Sequence, residues 1–293
     1  MRKYLLLSFL LLLGACTEEI DMRSRSDYHD YLAVQATLTD RADQPQQVIL
    51  SRTISYFHSE PQPMVKRASV TVNDVVFTET EDGVYVAPEG YCCRENEQYH
   101  LHIRLPGGEE YEADAQMPEP GFLMEKIDYA WGGGKTMGAD SLWTVGVWGV
   151  EKEIESSYLV THAVNGSYAP FSQAMVTKDQ FFNNHNIAAF PIVALMQVEA
   201  FRKQYGDCYK YLEEGDVITL EIWTLDSGYK DYLFSMKSGG FSIPLFSPQP
   251  ANLGTNIRGE HVLGYFAVCP VARASVTVDN PFRPYFNISQ MPR

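Results

Sequence analysis

Apolar and polar residues alternate in short runs from Tyr31 to about residue 116, and β-branched and aromatic side chains dominate the apolar positions. Because successive side chains of a strand point to opposite faces, this period of two predicts strands with one buried face. The runs, separated by Asp-Gly, Pro-Glu-Gly and Pro-Gly-Gly turns, are YLAVQATLT, QVILSRT, ASVTVNDVVFTET, GVYVAP, EQYHLHIRL and EEYEADAQ. Closely spaced strands without a helical period predict an immunoglobulin-like β-sandwich over residues 28–118, which ends at the MPEPG segment.

The remaining residues, 119–293, alternate less regularly. Strands are predicted for FLMEKIDYAW, LWTVGVWGV, SYLVTHAV and DVITLEIWTL, and a final pair of strands for HVLGYFAVCP and ASVTV. Four side chains recur at i, i+3, i+4 and i+7, the spacing of one helix face: Tyr229, Tyr232, Leu233 and Met236. Asp226-Ser227 suits the start of this helix and Gly239-Gly240 its end. We therefore predict a mainly β protein whose second domain is a larger antiparallel β-domain with one packed helix near residues 227–238.

The first residues, MRKYLLLSFLLLLGACTEEID, place a basic pair before an apolar run from Tyr4 to Leu13. As a helix this run would span about 15 Å, half of a hydrocarbon core of about 30 Å, which is typical of a signal peptide over residues 1–15. Leu13-Gly14-Ala15-Cys16 resembles the bacterial lipobox, in which the cysteine thiol is diacylated and becomes the first residue after cleavage. We predict lipidation at Cys16 and a lipidated tether over residues 16–27. The alternative is an ordinary signal peptide that ends near a cysteine.

The balance of charged residues limits the kinds of partner that this protein can bind. Lysine and arginine number 23 against 37 aspartates and glutamates, so the formal net charge is −14. Such a field repels phosphate backbones, and we exclude nucleic acid as a partner. Attachment to a membrane is expected through the acyl chains on Cys16, since durable anchoring takes two or more chains.

Four cysteines remain once Cys16 is set aside: Cys92, Cys93, Cys208 and Cys269. A bond between the adjacent Cys92 and Cys93 would close a strained ring, and the pair lacks the CxxC spacing of redox or zinc motifs. Export would permit a disulfide between Cys208 and Cys269. The alternative is that both are buried thiols.

His100 and His102 are two residues apart on a predicted strand and therefore point to the same face. A competent zinc site needs three or four ligands, so this pair alone is insufficient. The alternative interpretation is that both histidines lie on a solvent-exposed face of the strand. We predict neither a metal nor another cofactor.

Aromatic residues provide further candidates. The stretch FSIPLFSPQPANLGTN follows the predicted helix, and long ordered loops with aromatic side chains often bind partners. Its candidate binding residues are Phe241, Phe246, Asn252 and Asn256. The alternative is that its rings cover the helix. The four tryptophans lie in predicted strands and are expected in the core: Trp131, Trp143, Trp148 and Trp223.

Several segments carry a family resemblance: the lipobox, ASVTVND…DGVYVAPEG…YHLHI, DYLFSM, the Pro-rich loop and NIRGEHVLGYFAV. Together they resemble the domain of unknown function 4249 family, lipoproteins of Bacteroidota commonly encoded beside TonB-dependent outer-membrane receptors. The resemblance covers most of the chain after residue 15. It implies a role accessory to such a receptor and supplies no catalytic motif.

In that phylum, acidic residues just after the lipidated cysteine resemble a signal for export to the cell surface. Glu18 and Glu19 fit this placement, which implies an outer-membrane lipoprotein facing the cell surface; the alternative is an ordinary polar tether. Asp140-Ser141-Leu142 resembles the O-glycosylation triplet of the same phylum.

Three functions remain open. The favoured one is an outer-membrane lipoprotein that acts as an accessory or ligand-capture partner of a TonB-dependent receptor in nutrient uptake. The second is a structural or adhesive module of the cell surface, for which the immunoglobulin-like domain alone would suffice. The third is a hydrolase with a dispersed site. The chain has no GxSxG elbow and no SxxK motif, and we do not expect an enzyme.

Overall fold

The computed structural model describes residues 30–54, 61–136, 139–177, 186–239 and 254–286. Strands make up 53% and helices 9% of these described residues, so the prediction of a mainly β protein is confirmed. In chain order the strands are β1 (Leu32–Thr39), β2 (Gln47–Arg52), β3 (Ser69–Val72), β4 (Val75–Glu81), β5 (Val84–Val86), β6 (Gln98–Arg104), β7 (Glu110–Gln116), β8 (Phe122–Thr136), β9 (Ala139–Glu151), β10 (Ser157–Val164), β11 (Ser167–Tyr168), β12 (Met175–Val176), β13 (Asn186–Gln197), β14 (Val217–Leu225), β15 (Val262–Cys269) and β16 (Val271–Thr277). The helices are α1 (Glu199–Tyr205), a 3-10 helix (Asp207–Tyr209) and α2 (Ser227–Gly239).

Eight strands form the first sheet, in the order β15-β1-β2-β5-β4-β3-β6-β7. β4 pairs with β3 through residues 75–77 and with β5 through residues 78–81, so it passes from one half of the sheet to the other. Side chains of both halves share one core, which includes Leu32, Leu38, Leu50, Leu101, Ile103 and Phe266. Two halves around one core agree with a sandwich, while the immunoglobulin-like topology stays a prediction.

β15 lies beside β1 and runs parallel to it, from Val262 opposite Leu32 to Cys269 opposite Thr39. The sequence predicts instead that this segment pairs with ASVTV within residues 119–293, and that pairing is wrong. Only Pro270 separates the end of β15 from the start of β16, whereas the tightest common hairpins need about two turn residues. The chain therefore passes directly from the first sheet into the second, where β16 pairs with β14.

The second sheet has the order β11-β10-β14-β16, with β12 also paired to β10, and the third sheet has the order β13-β9-β8. Their facing sides share a second core, whose fully buried members include Phe122, Tyr129, Trp143, Tyr158, Ile218 and Leu220. Pro191 lies in β13 beside a register shift. An edge strand tolerates this because the missing N–H faces away from the ladder.

The predicted helix near residues 227–238 is present as α2. Asp226 Oδ1 accepts a hydrogen bond from the Tyr229 N–H at 3.0 Å, the cap that the sequence predicts. Tyr229 and Leu233 pack against Ala267 and Cys269, so α2 covers the junction between the first and second sheets. Within the described ranges, neither α-helix combines the length and the apolar character needed to cross a membrane.

Candidate functional site

The residues predicted to anchor the chain and to bind partners lie mostly outside the described part of the chain: Cys16, Glu18, Glu19, Phe241, Phe246 and Asn252. Asn256 is described, and its amide is engaged within the fold. Its Oδ1 accepts a hydrogen bond from the Phe266 N–H at 2.9 Å, and its Nδ2 donates to the Phe266 carbonyl at 2.8 Å. Because both bonds serve the backbone of a fully buried residue, Asn256 has a role in the fold, and its role in binding stays a prediction.

Asn256→Ala is expected to lower the free energy of unfolding by about 1–2 kcal/mol, because it leaves two backbone groups of Phe266 without their partner. Urea denaturation of the variant and the parent chain measures the change. Gln98→Ala removes an exposed amide and is the control, expected within about 0.5 kcal/mol of the parent. Equal midpoints for the two variants would contradict the assigned role.

The two histidines of β6 face two carboxylates of β7. The register places His100 opposite Asp114 and His102 opposite Glu112. His100 Nδ1 lies 2.8 Å from Asp114 Oδ1, and Arg258 bonds Asp114 Oδ2 at 2.7 Å and Glu112 Oε2 at 3.3 Å. The bonds from His100 and Arg258 lower the pKa of Asp114. No group of three or more His, Cys, Asp or Glu side chains in the described ranges has the arrangement of a metal site.

The four cysteines of the fold are thiols, so the structure selects the alternative of buried thiols over a Cys208–Cys269 disulfide. Burial raises the pKa of Cys208, raises that of Cys93 to about 12, and raises that of Cys269 well above its usual value. Since the thiolate is the reactive form, we interpret these three residues as packing side chains.

Ser141, the residue of the O-glycosylation-like triplet, is buried in β9 with 3% of its surface exposed. Its hydroxyl accepts a hydrogen bond from Trp131 Nε1 at 3.2 Å and donates one to the Gly133 carbonyl at 3.3 Å. A hydroxyl in this position is inaccessible to a modifying enzyme in the folded chain.

A groove runs along the line where the first sheet meets the second. Two cavities of about 220 and 380 Å³ adjoin there and share Gln44, Pro45, Gln47 and Trp223 as lining residues, so they are two lobes of one groove. We call it the inter-sheet groove. The smaller lobe is also lined by Gln35, Thr37, Thr39, Gln46 and Ile49. The larger lobe is also lined by Thr161, Tyr168 and Glu221.

The alternation of two strands places these side chains. The buried face of β1 consists of Leu32, Val34, Ala36 and Leu38. Gln35 and Thr37 of β1 therefore face outward. In β14, Leu220 and Ile222 enter the second core, so Glu221 and Trp223 face outward. The groove is thus the angle between the outer faces of two sheets.

The loop between β1 and β2 holds one wall of the groove in place. Asp40 Oδ1 accepts a hydrogen bond from the Val271 N–H at 3.0 Å, which ties the loop to the start of β16. Gln46 Oε1 accepts from the Thr39 N–H at 2.7 Å, and Gln46 Nε2 donates to the Arg41 carbonyl at 2.8 Å. Arg41 binds Asp43 through two nitrogens and lowers its pKa. These bonds make the wall a preformed part of the fold.

Glu221 orients the aromatic side chains of the groove. It is buried, with 2% of its surface exposed, although it lies on the outer face of β14. Tyr168 Oη donates to its carboxylate at 2.7 Å and Trp223 Nε1 at 3.1 Å, while Arg273 Nε lies 3.5 Å away as an ion pair. Partial burial and the bond to Glu221 raise the pKa of Tyr168. Both aromatic rings are therefore held by their polar atoms.

A cluster of three tyrosines adjoins the groove beyond Thr37. Tyr229 Oη lies 2.9 Å from Thr37 Oγ1, within hydrogen-bond distance. The rings of Tyr229, Tyr232 and Tyr265 lie 5.2 to 6.2 Å apart between centroids. Burial raises the pKa of Tyr265 to about 12, so these hydroxyls stay protonated in neutral solution.

The sequence prediction missed this groove. Of the four tryptophans expected in the core, Trp143 and Trp148 are fully buried, whereas Trp131 and Trp223 are only half-buried. One signal was available: Trp223 is two residues from Glu221 in β14, so both side chains lie on the same face of the strand. A charged residue on that face indicates that it differs from the core face.

Comparison with known proteins places the chain in a family. No curated protein matches it. A family model, described as Domain of unknown function (DUF4249), matches residues 17–275. This confirms the family resemblance drawn from the sequence motifs. Since the match covers most of the chain, the protein belongs to the DUF4249 family.

Proposed function

We propose that this protein is a lipid-anchored accessory protein of the outer membrane, which captures a ligand and passes it to a TonB-dependent receptor. The anchor is the acylated Cys16, and residues 16–27 connect it to the fold. Glu18 and Glu19 direct the protein to the cell surface. The lipobox-like segment Leu13-Gly14-Ala15-Cys16 and membership of the DUF4249 family support the anchor and the receptor partnership.

The observation that carries the proposal is the inter-sheet groove. Small-molecule sites are concave, largely formed before the ligand arrives, and lined by aromatic side chains with a few oriented polar groups. The groove has this composition, because Tyr168 and Trp223 are both held by Glu221. Its larger lobe measures about 380 Å³, within the usual range of about 300–1,000 Å³ for such sites, and opens widely to solvent.

Affinity purification of the tagged full-length protein from solubilised outer membranes tests the partnership. We expect a TonB-dependent receptor to be the main enriched protein, identified by mass spectrometry. The Cys16→Ser variant, which lacks the acylated thiol, is the control and is expected to recover little receptor. If no TonB-dependent receptor is enriched over this control, the proposed function is wrong.

The anchor has its own test. Metabolic labelling with an alkyne-bearing fatty acid is expected to label the parent protein and to leave Cys16→Ser unlabelled, since the diacylglyceryl group is transferred to a thiol. Cys92→Ser removes a half-buried cysteine of the fold and is expected to keep the full label. Label that persists in Cys16→Ser would place the acyl chains elsewhere.

A further inference from the structure

The charges around the inter-sheet groove select against ionic ligands. Among its lining residues, Glu221 is the one charged side chain, and Arg273, Tyr168 and Trp223 already bind its carboxylate. A cationic ligand would have to displace Arg273. An anionic ligand would find no lysine or arginine on the groove lining and would approach a chain of net charge −14. The groove therefore favours an uncharged ligand.

The polar atoms of the two aromatic side chains in the groove are already bonded within the fold. Trp223 lines both lobes, and its single polar atom, Nε1, is used by Glu221 at 3.1 Å. Tyr168, with 41% of its surface exposed, uses its hydroxyl in the same way at 2.7 Å. Part of Trp223 packs against the apolar cluster beneath α2, and the part of each ring that lines the groove is apolar, which suits the C–H groups of a saturated ring.

The remaining lining residues carry uncharged groups that both donate and accept. Gln35 and Gln47 have exposed side chains, and each amide offers an N–H₂ donor and a carbonyl acceptor. Thr161 adds a hydroxyl to the larger lobe. Hydroxyl groups of a ligand also donate and accept, so amides and hydroxyls pair with them in either direction.

An extended peptide is the competing uncharged ligand, and the pairing of the strands argues against it. Peptides commonly bind by adding a strand to a free sheet edge. β1 is paired with β15 and β2, β2 with β1 and β5, and β14 with β10 and β16. The strands that line the smaller lobe therefore offer no free edge to a peptide. In the larger lobe, Tyr168 belongs to the edge strand β11, which has only 2 residues and is a short template for an added strand.

We propose that the inter-sheet groove binds a neutral oligosaccharide, with one sugar ring stacked on Trp223 and its hydroxyl groups bonded by Gln35 and Gln47. The inference deepens the proposed function and rests on it for the role of capture, because it names the ligand class of the same groove. Trp223 provides the apolar platform, and Glu221 keeps that platform in position.

Isothermal titration calorimetry on the full-length lipidated protein tests the inference. The protein is kept in solution with lauryldimethylamine oxide. This detergent has no sugar headgroup, and a sugar headgroup would compete with the oligosaccharides for the groove. The probes are neutral hexasaccharides of β-1,4-glucose, α-1,4-glucose, β-1,4-mannose and β-1,4-xylose, with hexagalacturonic acid and hexa-alanine as charged-sugar and peptide comparisons. We expect at least one neutral hexasaccharide to bind and the two comparisons not to bind.

Variants locate the binding in the groove. Trp223→Ala is expected to weaken it at least about tenfold, and Gln47→Ala by about threefold. Trp223→Phe keeps a ring and is expected to retain most of the affinity, which separates stacking from loss of the fold. Gln98→Ala changes an exposed glutamine of β6 that does not line the groove and is expected to bind as the parent does.

Binding of no neutral hexasaccharide, tighter binding of hexagalacturonic acid or hexa-alanine, or affinity unchanged in Trp223→Ala and Gln47→Ala would each overturn the inference. These results are distinguishable from failure of the proposed function. A receptor that co-purifies while no sugar binds refutes only the ligand class, whereas sugar binding without receptor enrichment refutes only the partnership.

Discussion

Gly264→Ala is expected to lower the free energy of unfolding by about 3 kcal/mol or more. Gly264 lies in β15 opposite Val34 of β1, with φ +111°, a conformation that side-chain-bearing residues rarely adopt. A Cβ atom there would lie 1.8 Å from the Val34 carbonyl oxygen and 2.8 Å from the Val34 carbonyl carbon. Both contacts are with backbone, so relief requires the two strands to separate.

Guanidinium denaturation followed by circular dichroism measures this effect through the unfolding midpoint. Gly254→Ala is the matched control, because a Cβ atom at Gly254 meets nothing within 4 Å among the residues that the structure describes. We expect it to change the free energy of unfolding by less than about 0.5 kcal/mol. A similar midpoint for both variants would mean that the parallel pairing of β1 with β15 contributes little to the stability of the chain.

Acidification from pH 7 to pH 4 is expected to lower the free energy of unfolding by about 3 kcal/mol through His162 alone. His162 lies in β10 with 3% of its surface exposed, on the strand face that also carries the core residues Val160 and Val164. Burial penalises the charged imidazolium and lowers the pKa of His162 to about 4. In the unfolded chain the pKa returns to about 6.5.

The sign follows from proton binding. Between about pH 6.5 and pH 4 the unfolded chain takes up a proton at His162 and the folded chain does not, so acid favours unfolding. The contribution of His162 to the free energy of unfolding is complete above pH 6.5 and falls as the pH approaches 4. Carboxylates with lowered pKa, such as Asp114, lose their contribution below about pH 4, outside this window.

Urea denaturation at a series of pH values between 7 and 4 measures this dependence. His162→Leu is expected to flatten it, since the apolar side chain binds no proton. His102→Gln removes a histidine of β6 that is not buried and is expected to leave it unchanged. A slope that survives in His162→Leu would assign the acid sensitivity to other groups.

The local pattern predicted many of the elements. The alternation of LAVQATLT matches β1, because a strand with one buried face repeats every two residues whatever it pairs with. The spacing of Tyr229, Tyr232, Leu233 and Met236, together with the cap at Asp226, predicted α2 for the same local reason. These features depend on neighbours in the chain.

Pairing between distant segments escaped this reasoning. The alternation of side chains within β15 does not show whether its partner is a strand nearby in the chain or the distant β1. Parallel ladders require a long connection, and here more than two hundred residues separate β1 from β15. Gly264 is the one local trace of the arrangement, since it leaves room for the backbone of Val34.

For the candidate site, too, local features could be predicted from the sequence and contacts between distant segments could not. The sequence alone determined the β class, the capped helix, the acidic charge and the lipobox-like segment at Cys16, because each depends on composition or on residues close together in the chain. Only the tertiary structure brought Gln35 and Gln47 close to Trp223 and Glu221. Alternation along a strand shows which of its faces points away from the core, but it does not show which part of another sheet lies next to that face. The inter-sheet groove exists because β15 and α2 join the first sheet to the second, and that junction is set by long-range packing of apolar faces.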